Sequence, residues 1–303
     1  MASSNPPPRR VMLWAVPRSL STVFQKCMSF VDGVQIINEP YAVATQFGPE
    51  GKQIQDEGIK QLMVESDTEI EAQTEEFNAP LAFDEAICTL DWVKKTLEAD
   101  YPGKKLIFCK DMAPEGNYHA LPKGFKHTFL IRDPIKVFIS FRKMILAFNL
   151  LPEDQQKNFR LTDLPQEALP AKYLFGEMVD LLHYLQENKM ESNPVVIDAD
   201  DLQSHPESIL RQYCEAVGIP YSNDLLQWEA GDDITNTWIA AKKIMRMNKI
   251  QRGGFYARAL SSVKFEPSST PIPDKNELTP DVVQFAEEAD KYYKELYEMR
   301  LKP

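Results

Sequence analysis

The chain of 303 residues is 43% hydrophobic and 26% charged, which is typical of a globular protein of enzyme size with a substantial core. Its 34 basic and 45 acidic residues leave a net charge of −11. Such an acidic chain is unsuited to non-specific binding of nucleic acid or of an acidic membrane, so we expect neither as a partner. Any anionic ligand must then be held by a local cluster of cations and backbone amides.

The first ten residues, MASSNPPPRR, are proline-rich, and we expect residues 1–10 to be disordered. They lack the apolar stretch of a signal peptide, and no apolar run in the chain approaches the ~20 residues needed to cross a bilayer. The four cysteines are widely spaced, with no CxxC pair, and are Cys27, Cys88, Cys109 and Cys214. This pattern predicts buried, reduced thiols in a cytoplasmic protein.

Short apolar segments alternate with amphipathic segments along the rest of the chain. The first, VMLWAV (11–16), predicts a buried strand, and the segment at 22–31 predicts a helix with Val23, Cys27 and Phe30 on its inner face. Further strands are predicted at 34–40, 104–110, 127–132 and 194–202, and further helices at 83–99, 133–148, 171–188, 206–218 and 280–299. The acidic segment 41–80 is poorly periodic and is predicted to be a surface segment or a lid.

This alternation predicts an α/β fold, namely a three-layer sandwich whose mainly parallel central sheet is covered on both faces. We expect a single domain over residues 11–303, with a variable segment at 41–80 and a C-terminal helix. In such sheets, ligands bind beyond the carboxyl ends of the strands. Polar loops follow four of the predicted strands and should lie side by side there: PRSLST, NEPY, KDMAPEG and RDP.

The segment PRSLST (17–22) has the features of an anion-binding turn. It leads from a strand into a helix, whose first amides have no partners within the helix. Arg18 adds a forked cation, and Ser21 and Thr22 add hydroxyl donors. The segment suits a phosphate or sulfate, although an ordinary turn with a solvated Arg18 has the same composition. It is not the loop GxxxxGK[ST], because Leu20 stands where glycine is required and no lysine precedes the hydroxyls.

A second cationic segment, IRDPIKVFISFRK (131–143), ends a strand and begins a helix. Asp133 as N-cap, followed by a proline, is a strong helix-start signal, so Arg132 should lie at the end of the strand. The helical spacing places three polar side chains on one face, namely Lys136, Ser140 and Lys143. The segment suits a second phosphate, or else forms a solvated basic face.

Together the two segments resemble the sulfotransferases that use 3′-phosphoadenosine 5′-phosphosulfate (PAPS), and the resemblance extends from about residue 10 to 265. In that family a loop of the form P-K-S-G-T-T grips the 5′-phosphosulfate, and it corresponds here to Pro17, Arg18, Ser19, Leu20, Ser21 and Thr22. The family's second motif, R-x-P with a serine eight residues after the arginine, matches Arg132, Pro134 and Ser140 and implies binding of the 3′-phosphate. QRGGF (251–255) resembles the family's R-K-G loop, which implies that Arg252 and Gly253 also contact that phosphate.

The residue that would serve as the acceptor base departs from the family pattern. Many cytoplasmic members place a histidine two residues after a lysine at the end of the third strand, but here Met112 follows Lys110 at that spacing. Glu39 in NEPY resembles the glutamate that deprotonates the acceptor hydroxyl in the carbohydrate-directed branch. His119 is the alternative base, because histidine titrates near neutral pH. We favour Glu39, because it ends a predicted strand and faces the cleft.

The resemblance implies a fold of the P-loop nucleotide-kinase type and transfer of a sulfonyl group from PAPS to a hydroxyl of a small-molecule acceptor. Arg18 and the loop amides would offset charge in the transition state, Arg132 and Ser140 would orient the donor, and no metal is required. Two other classes stay open. A catalytically inert nucleotide-binding relative fits the missing histidine, and a small-molecule kinase should need a carboxylate for Mg²⁺ and a glycine-rich loop.

Overall fold

The central feature is a sheet of five strands, all parallel, in the order β2-β3-β1-β4-β5. The computed structural model describes residues 6–51, 83–114, 116–147, 156–164, 172, 174–242, 244–245, 256–267 and 271–303. The strands are β1 (Arg9–Ala15), β2 (Val34–Asn38), β3 (Leu106–Asp111), β4 (Lys126–Ile131) and β5 (Val195–Asp198). The structure therefore confirms the predicted, mainly parallel sheet.

Helices alternate with these strands along the chain. They are α1 (Ser21–Met28), α2 (Pro40–Gln46), α3 (Leu90–Glu98), α4 (Pro134–Ala147), α5 (Gly176–Glu187), α6 (Ala199–Ser204), α7 (Pro206–Val217), α8 (Ala257–Ser261) and α9 (Pro280–Glu298). None of the helices among these described residues is long and apolar enough to cross a membrane.

Helices cover both faces of the sheet, because alternate residues of each strand point to opposite sides. On β1, Met12 and Trp14 pack into a core on one face, and Val11 and Leu13 pack into a core on the other. The first core includes buried residues of α4, α5 and α9, and the second includes buried residues of α1 and α7. The predicted three-layer sandwich is therefore confirmed.

Several local predictions need correction. Arg9 and Arg10 lie in β1, although we expected disorder up to residue 10. Phe30 lies beyond the end of α1 and is 38% exposed, so it is not on the inner face of that helix. The helix predicted at 83–99 is a 3₁₀ turn (Glu85–Ile87) followed by α3, because Thr89 caps a new helix through the amide of Trp92.

The segment predicted as a surface or lid region (41–80) begins instead with a buried helix. Residues 41–44 of α2 are all buried, and the hydroxyl of Tyr41 donates to the carbonyl of Ala120 at 2.7 Å. Residues 52–80 lie outside the described residues. The four cysteines are free and buried, which confirms the prediction of reduced thiols.

A buried histidine in the sheet is the basis of a prediction about stability. The indole of Trp14 donates to Nδ1 of His127 at 3.0 Å, and the two rings stack, so Nδ1 must stay unprotonated. Burial, and after it the charge of Lys126, lowers the pKa of His127 to about 4. Because the unfolded chain binds this proton more readily, the stabilising contribution is complete above about pH 6.5 and is lost as the pH falls towards 4.

We therefore expect a His127→Gln variant, which cannot titrate here, to lose less stability than the wild type between pH 7 and pH 4.5. The difference should approach the order of 3 kcal/mol once the pH falls below 4. Urea unfolding of both proteins at several pH values measures it. Parallel stability curves for the two proteins would contradict this account of His127.

Candidate active site

The predicted loops meet at the carboxyl edge of the sheet. The register pairs Leu13 of β1 with Lys110 of β3, and Trp14 with Asp111, so the loop after β1 begins beside the end of β3. The amide of Glu39, just after β2, donates to the carbonyl of Lys110 at 2.8 Å. Parallel pairing thus brings three of the four polar strand ends into one row, and β4 adds the fourth on the other side of β1.

The loop at 17–22 has the backbone geometry of a tight anion-binding turn. Arg18 and Leu20 both have a left-handed backbone, with φ of 68° and 69°. Leu20 stands where the P-K-S-G-T-T loop of the sulfotransferases has glycine. The backbone of Leu20 therefore adopts a conformation that glycine favours, at some cost in strain. The helix that follows has no side-chain cap, and the fully buried hydroxyl of Ser19 has no hydrogen-bond partner among the described residues. The turn therefore contains a buried polar group that has no partner in the described structure.

The two cationic motifs converge in the structure. Arg132, 5% exposed, donates from Nη1 to the backbone carbonyl of Arg18 at 3.0 Å. Arg18 in turn donates from Nε to the hydroxyl of Ser140 at 3.1 Å. The buried Nε of Arg132 has no partner within the described part of the chain. Arg18 is 114 positions from Arg132 and 122 positions from Ser140 in the sequence. The fold nevertheless joins the three residues in one cationic cluster, in which Nε of Arg132 is a spare donor.

A third arginine belongs to this cluster. Burial lowers the pKa of Arg18, and the charges of Arg132 and Arg258 lower it further. Burial also lowers the pKa of Arg132, which Asp200 raises again and Arg258 lowers. Mutual repulsion of this kind marks a place where an anion would be favourable. The sequence gives only a weak signal for Arg258, because it is one arginine on the short helix α8 some 126 residues after Arg132.

Carboxylates at the end of β5 limit the positive charge of the cluster. Lys136, predicted on the ligand-binding face of α4, instead forms a 2.8 Å ion pair with Asp200. Asp198 caps α6 by accepting the amides of residues 200 and 201, and it also accepts the hydroxyl of Tyr293 at 3.1 Å. Burial raises the pKa of Asp198 to about 6. The predicted cation of Lys136 is therefore already neutralised, whereas Arg18 and Arg132 bond neutral oxygens.

Glu39 is held at both oxygens on the other side of β3. Its backbone is left-handed, with φ of 50°, and it stands at the N-cap of α2. Lys110, 1% exposed, forms an ion pair with Oε1, and the hydroxyl of Tyr256 donates to Oε2 at 2.7 Å. The Glu39 side chain remains 18% exposed. The carboxylate is thus oriented from within the protein while one side stays open to solvent.

Asp111, which the sequence analysis did not select, fixes the backbone around Glu39. It is fully buried and accepts the amides of Tyr41 at 2.5 Å, Ala42 at 3.1 Å and Met112 at 2.8 Å. Burial, and after it the charge of Glu39, raises the pKa of Asp111 to about 8, although the three amides oppose the rise. Asp111 therefore ties the start of α2, and with it Glu39, to the end of β3.

The remaining predicted residues are not brought into either cluster by the described contacts. His119 is exposed, in the 3₁₀ turn Tyr118–Ala120, and its backbone carbonyl accepts from Lys94 at 3.4 Å. Arg252 and Gly253 lie outside the described residues. The candidate site therefore consists of two groups. One is an arginine cluster (Arg18, Arg132 and Arg258), and the other is a Glu39 cluster (Glu39, Lys110, Tyr256 and Asn38, which donates to the hydroxyl of Tyr256).

Comparison with known proteins identifies a domain family that part of this chain resembles. Residues 189–264 match the family described as a sulfotransferase domain. This stretch contains neither of the two anion motifs, so the match is independent of them. The match covers 76 of the 303 residues and shows that this stretch is similar to a sulfotransferase domain.

Two relatives from Arabidopsis thaliana have names that do not mention a sulfotransferase. This chain is 27% identical over 222 residues to branched-chain-amino-acid aminotransferase-like protein 2, covering 72% of this chain and 31% of that protein. It is 25% identical over 231 residues to protein 1 of the same name, covering 74% and 33%. The chain thus spans about a third of the length of these relatives.

Three solved structures align with at least 95% of this chain, all at 15% identity or less and with TM-scores below 0.5. The sulfotransferase domain from the curacin biosynthetic pathway aligns with 99% of this chain and all of its own length, at 15% identity and a TM-score of 0.46. The sulfotransferase domain of the Synechococcus PCC 7002 olefin synthase aligns with 95% of this chain and 96% of its own, at 15% identity and a TM-score of 0.48. Retinol dehydratase in a complex with retinol and PAP covers 99% and 84%, at 13% identity and 0.46.

The ion pair between Lys110 and Glu39 leads to a prediction about folding. Removing the cation leaves a largely buried carboxylate next to Asp111, so we expect Lys110→Met to lower the free energy of unfolding by about 3 kcal/mol. A second change, Glu39→Gln, should restore much of the loss in the Lys110→Met background, because it removes the uncompensated charge. Urea unfolding of the single and double variants measures this coupling.

The matched control is the exposed pair of Lys275 and Glu287, whose side chains are both 60% exposed. Lys275→Met should change stability far less, since solvent screens that pair. If both lysine variants lose the same stability, the buried pair has no special role in the fold.

Proposed function

We propose that this protein transfers a sulfonyl group from PAPS to a hydroxyl of a small-molecule acceptor, with Glu39 as the base. The observation that carries the proposal is the contact of Arg132 and Ser140 with Arg18, because it unites two motifs that each suit a phosphate. A donor with anionic groups at both ends requires two such motifs in one cleft.

The proposal that PAPS binds here rests on buried hydrogen-bond donors without a partner in the described structure. Arg132 has a buried Nε without a partner in the described structure, and Ser19 has a buried hydroxyl in the same state. Phosphate and sulfonate oxygens are well matched to such groups, which otherwise cost free energy by burial without hydrogen bonds. Arg132 and Ser140 would hold the 3′-phosphate, as the resemblance implies, and Arg258 would add charge at the same place. The loop 18–22 would hold the 5′-phosphosulfate.

The transfer itself is an in-line displacement at sulfur. The acceptor oxygen forms a bond to sulfur while the bond from sulfur to the bridging oxygen breaks, and the leaving 5′-phosphate takes that electron pair. Negative charge grows on the bridging oxygen, where Arg18 and the amides at the start of α1 would offset it. The hydroxyl proton of the acceptor passes to the Glu39 carboxylate.

Glu39 is the better base of the two candidates on positional grounds. It lies in the row of strand ends that includes the loop 18–22, and its carboxylate is oriented by Lys110 and Tyr256 while part of it faces solvent. His119 is exposed on a turn that follows β3 and lacks comparable orientation. A general base needs a fixed position more than a favourable unperturbed titration.

The direct test is calorimetric titration with 3′-phosphoadenosine 5′-phosphate and with ATP, followed by turnover of PAPS with a library of hydroxyl compounds. Binding of the bisphosphate in preference to ATP supports the proposed donor, whereas preference for ATP supports a kinase. Tight binding of the bisphosphate without turnover of any hydroxyl compound would favour the inert relative.

Arg132 should be required for recognition of the 3′-phosphate. We expect Arg132→Ala to weaken binding of 3′-phosphoadenosine 5′-phosphate by about 2–4 kcal/mol, because a charge-assisted contact in a desolvated site is lost. It should affect adenosine 5′-phosphosulfate, which lacks the 3′-phosphate, much less. Calorimetry with both nucleotides measures the difference.

The control for this change is Arg211→Ala, which removes an equal charge from the exposed pair with Glu207 on α7. It should leave both affinities unchanged. Wild-type affinity of Arg132→Ala for the bisphosphate would rule out this assignment of the 3′-phosphate site.

The choice of base leads to a prediction about rate. Glu39→Gln keeps the size of the side chain but cannot accept a proton near neutral pH, so single-turnover transfer should fall ~10²–10⁴-fold while donor binding is retained. His119→Ala is the comparison and should transfer at close to the wild-type rate. The reverse result, with a normal Glu39→Gln and an inactive His119→Ala, would make the histidine the base.

A further inference from the structure

The carboxylate of Glu39 ends a chain of hydrogen bonds that the proposed transfer does not by itself explain. Asn38 donates from Nδ2 to the hydroxyl of Tyr256 at 2.8 Å, and that hydroxyl donates to Oε2 of Glu39 at 2.7 Å. All three residues lie in the Glu39 cluster, and Asn38 and Tyr256 are 1% and 3% exposed. A donor chain shielded from water gives each bond more strength than an exposed one would have.

The Tyr256 hydroxyl keeps its proton over the whole pH range of interest. Burial raises the pKa of Tyr256 well above its usual range, and the negative charge of Glu39 raises it further. The oxygen of Tyr256 already accepts from Asn38, so the hydroxyl hydrogen is directed to Glu39. Tyr256 is therefore a donor to the charged form of Glu39, and such a bond favours the carboxylate over the carboxylic acid.

The position of Tyr256 is fixed by the helix that it precedes. The carbonyl of Tyr256 accepts the amide of Leu260 at 2.8 Å at the start of α8. At the other end, Lys26 of α1 donates to the carbonyls of Leu260 at 2.7 Å and Ser262 at 3.0 Å. The ammonium of Lys110 also lies 5.7 Å from the centre of the Tyr256 ring. The backbone of Tyr256 is thus tied to α8, which is tied to α1, and the ring lies next to the ammonium of Lys110.

We propose that Tyr256 is a positioning residue for the base, whose hydroxyl orients the Glu39 carboxylate and sets the pH below which transfer fails. This inference rests on the proposed function, because it takes Glu39 as the base. Nothing in the sequence marks Tyr256 for this role, since it lies 217 positions after Glu39. The contact arises only because α8 packs against α1 beside the ends of β2 and β3.

Other titratable groups lie around Glu39. Lys110 on β3 forms the ion pair with it, and Asp111 on the same strand accepts backbone amides. The Cys109 thiol stays neutral, because burial raises its pKa well above the usual range. Loss of the Tyr256 hydroxyl leaves the contributions of these three residues in place, so its effect on Glu39 can be measured separately.

The experiment compares wild type with Tyr256→Phe by two independent measurements. The first follows the side-chain carboxyl of Glu39 by NMR of protein labelled with ¹³C-glutamate across a pH series, the signal being assigned by its absence in Glu39→Gln. The second is the pH dependence of kcat with PAPS and an accepted hydroxyl compound. We expect Tyr256→Phe to move the Glu39 titration and the acid limb of kcat upward together, by about one pH unit. The maximal kcat should fall about tenfold, and the affinity for 3′-phosphoadenosine 5′-phosphate should stay unchanged.

Tyr213→Phe is the matched control. Tyr213 is a fully buried tyrosine on α7 whose hydroxyl lies 3.2 Å from that of Thr128, away from Glu39. Its loss removes an equally buried hydroxyl and should move neither the Glu39 titration nor the acid limb. Should Tyr256→Phe fail to fold, Asn38→Ala tests the same chain of bonds one step earlier, with a smaller upward shift expected.

The outcomes separate this inference from the function on which it rests. An unchanged Glu39 titration in Tyr256→Phe overturns the role of Tyr256, whatever the activity. A shifted titration with an unshifted acid limb supports the contact with Glu39 but overturns Glu39 as the base. A shift of equal size in Tyr213→Phe also overturns the inference, because the effect would then be a general one.

Discussion

The bond from Arg132 to the carbonyl of Arg18 joins the end of β4 to the loop after β1, and the arginine cluster depends on it. It bridges two adjacent strand ends, and the left-handed backbone at Arg18 and Leu20 gives that loop its tight turn. Burying two arginines side by side is unfavourable without a counter-ion. The direct partners of both arginines are neutral oxygens, whereas Asp200 pairs with Lys136 and Asp198 caps α6.

In the Glu39 cluster, by contrast, the charged group has a charged partner. Here a single carboxylate is fully compensated by Lys110 and Tyr256, and a second carboxylate, Asp111, is buried behind it on backbone amides. The amides at the start of α2 are thereby used inside the protein, whereas no side chain in the described part of the chain caps the start of α1. The first amides of α2 thus have a side-chain partner in the described structure, and those of α1 do not. This is the arrangement expected if an anion binds at α1 and a neutral hydroxyl approaches Glu39.

The short helix α8 is the structural link between the two clusters. It carries Arg258 towards the arginine cluster, follows directly after Tyr256, and is tied to α1 through Lys26. The same α1 begins within the loop 17–22, so α8 connects the surroundings of the proposed donor site with those of the proposed base.

The sequence by itself determined the layers of the fold and the chemistry of the strand-end loops. Alternating apolar strands and helices favour a covered parallel sheet, and Arg18, Arg132 and Glu39 could be selected because each lies within two residues of the end of an apolar run. It did not determine which groups neutralise one another. Lys136 pairs with Asp200, Asp111 turns inward, and Tyr256 and Arg258 enter the site from more than a hundred residues away. Such contacts follow from how the helices pack on the sheet, and local patterns carry no record of distances across the fold.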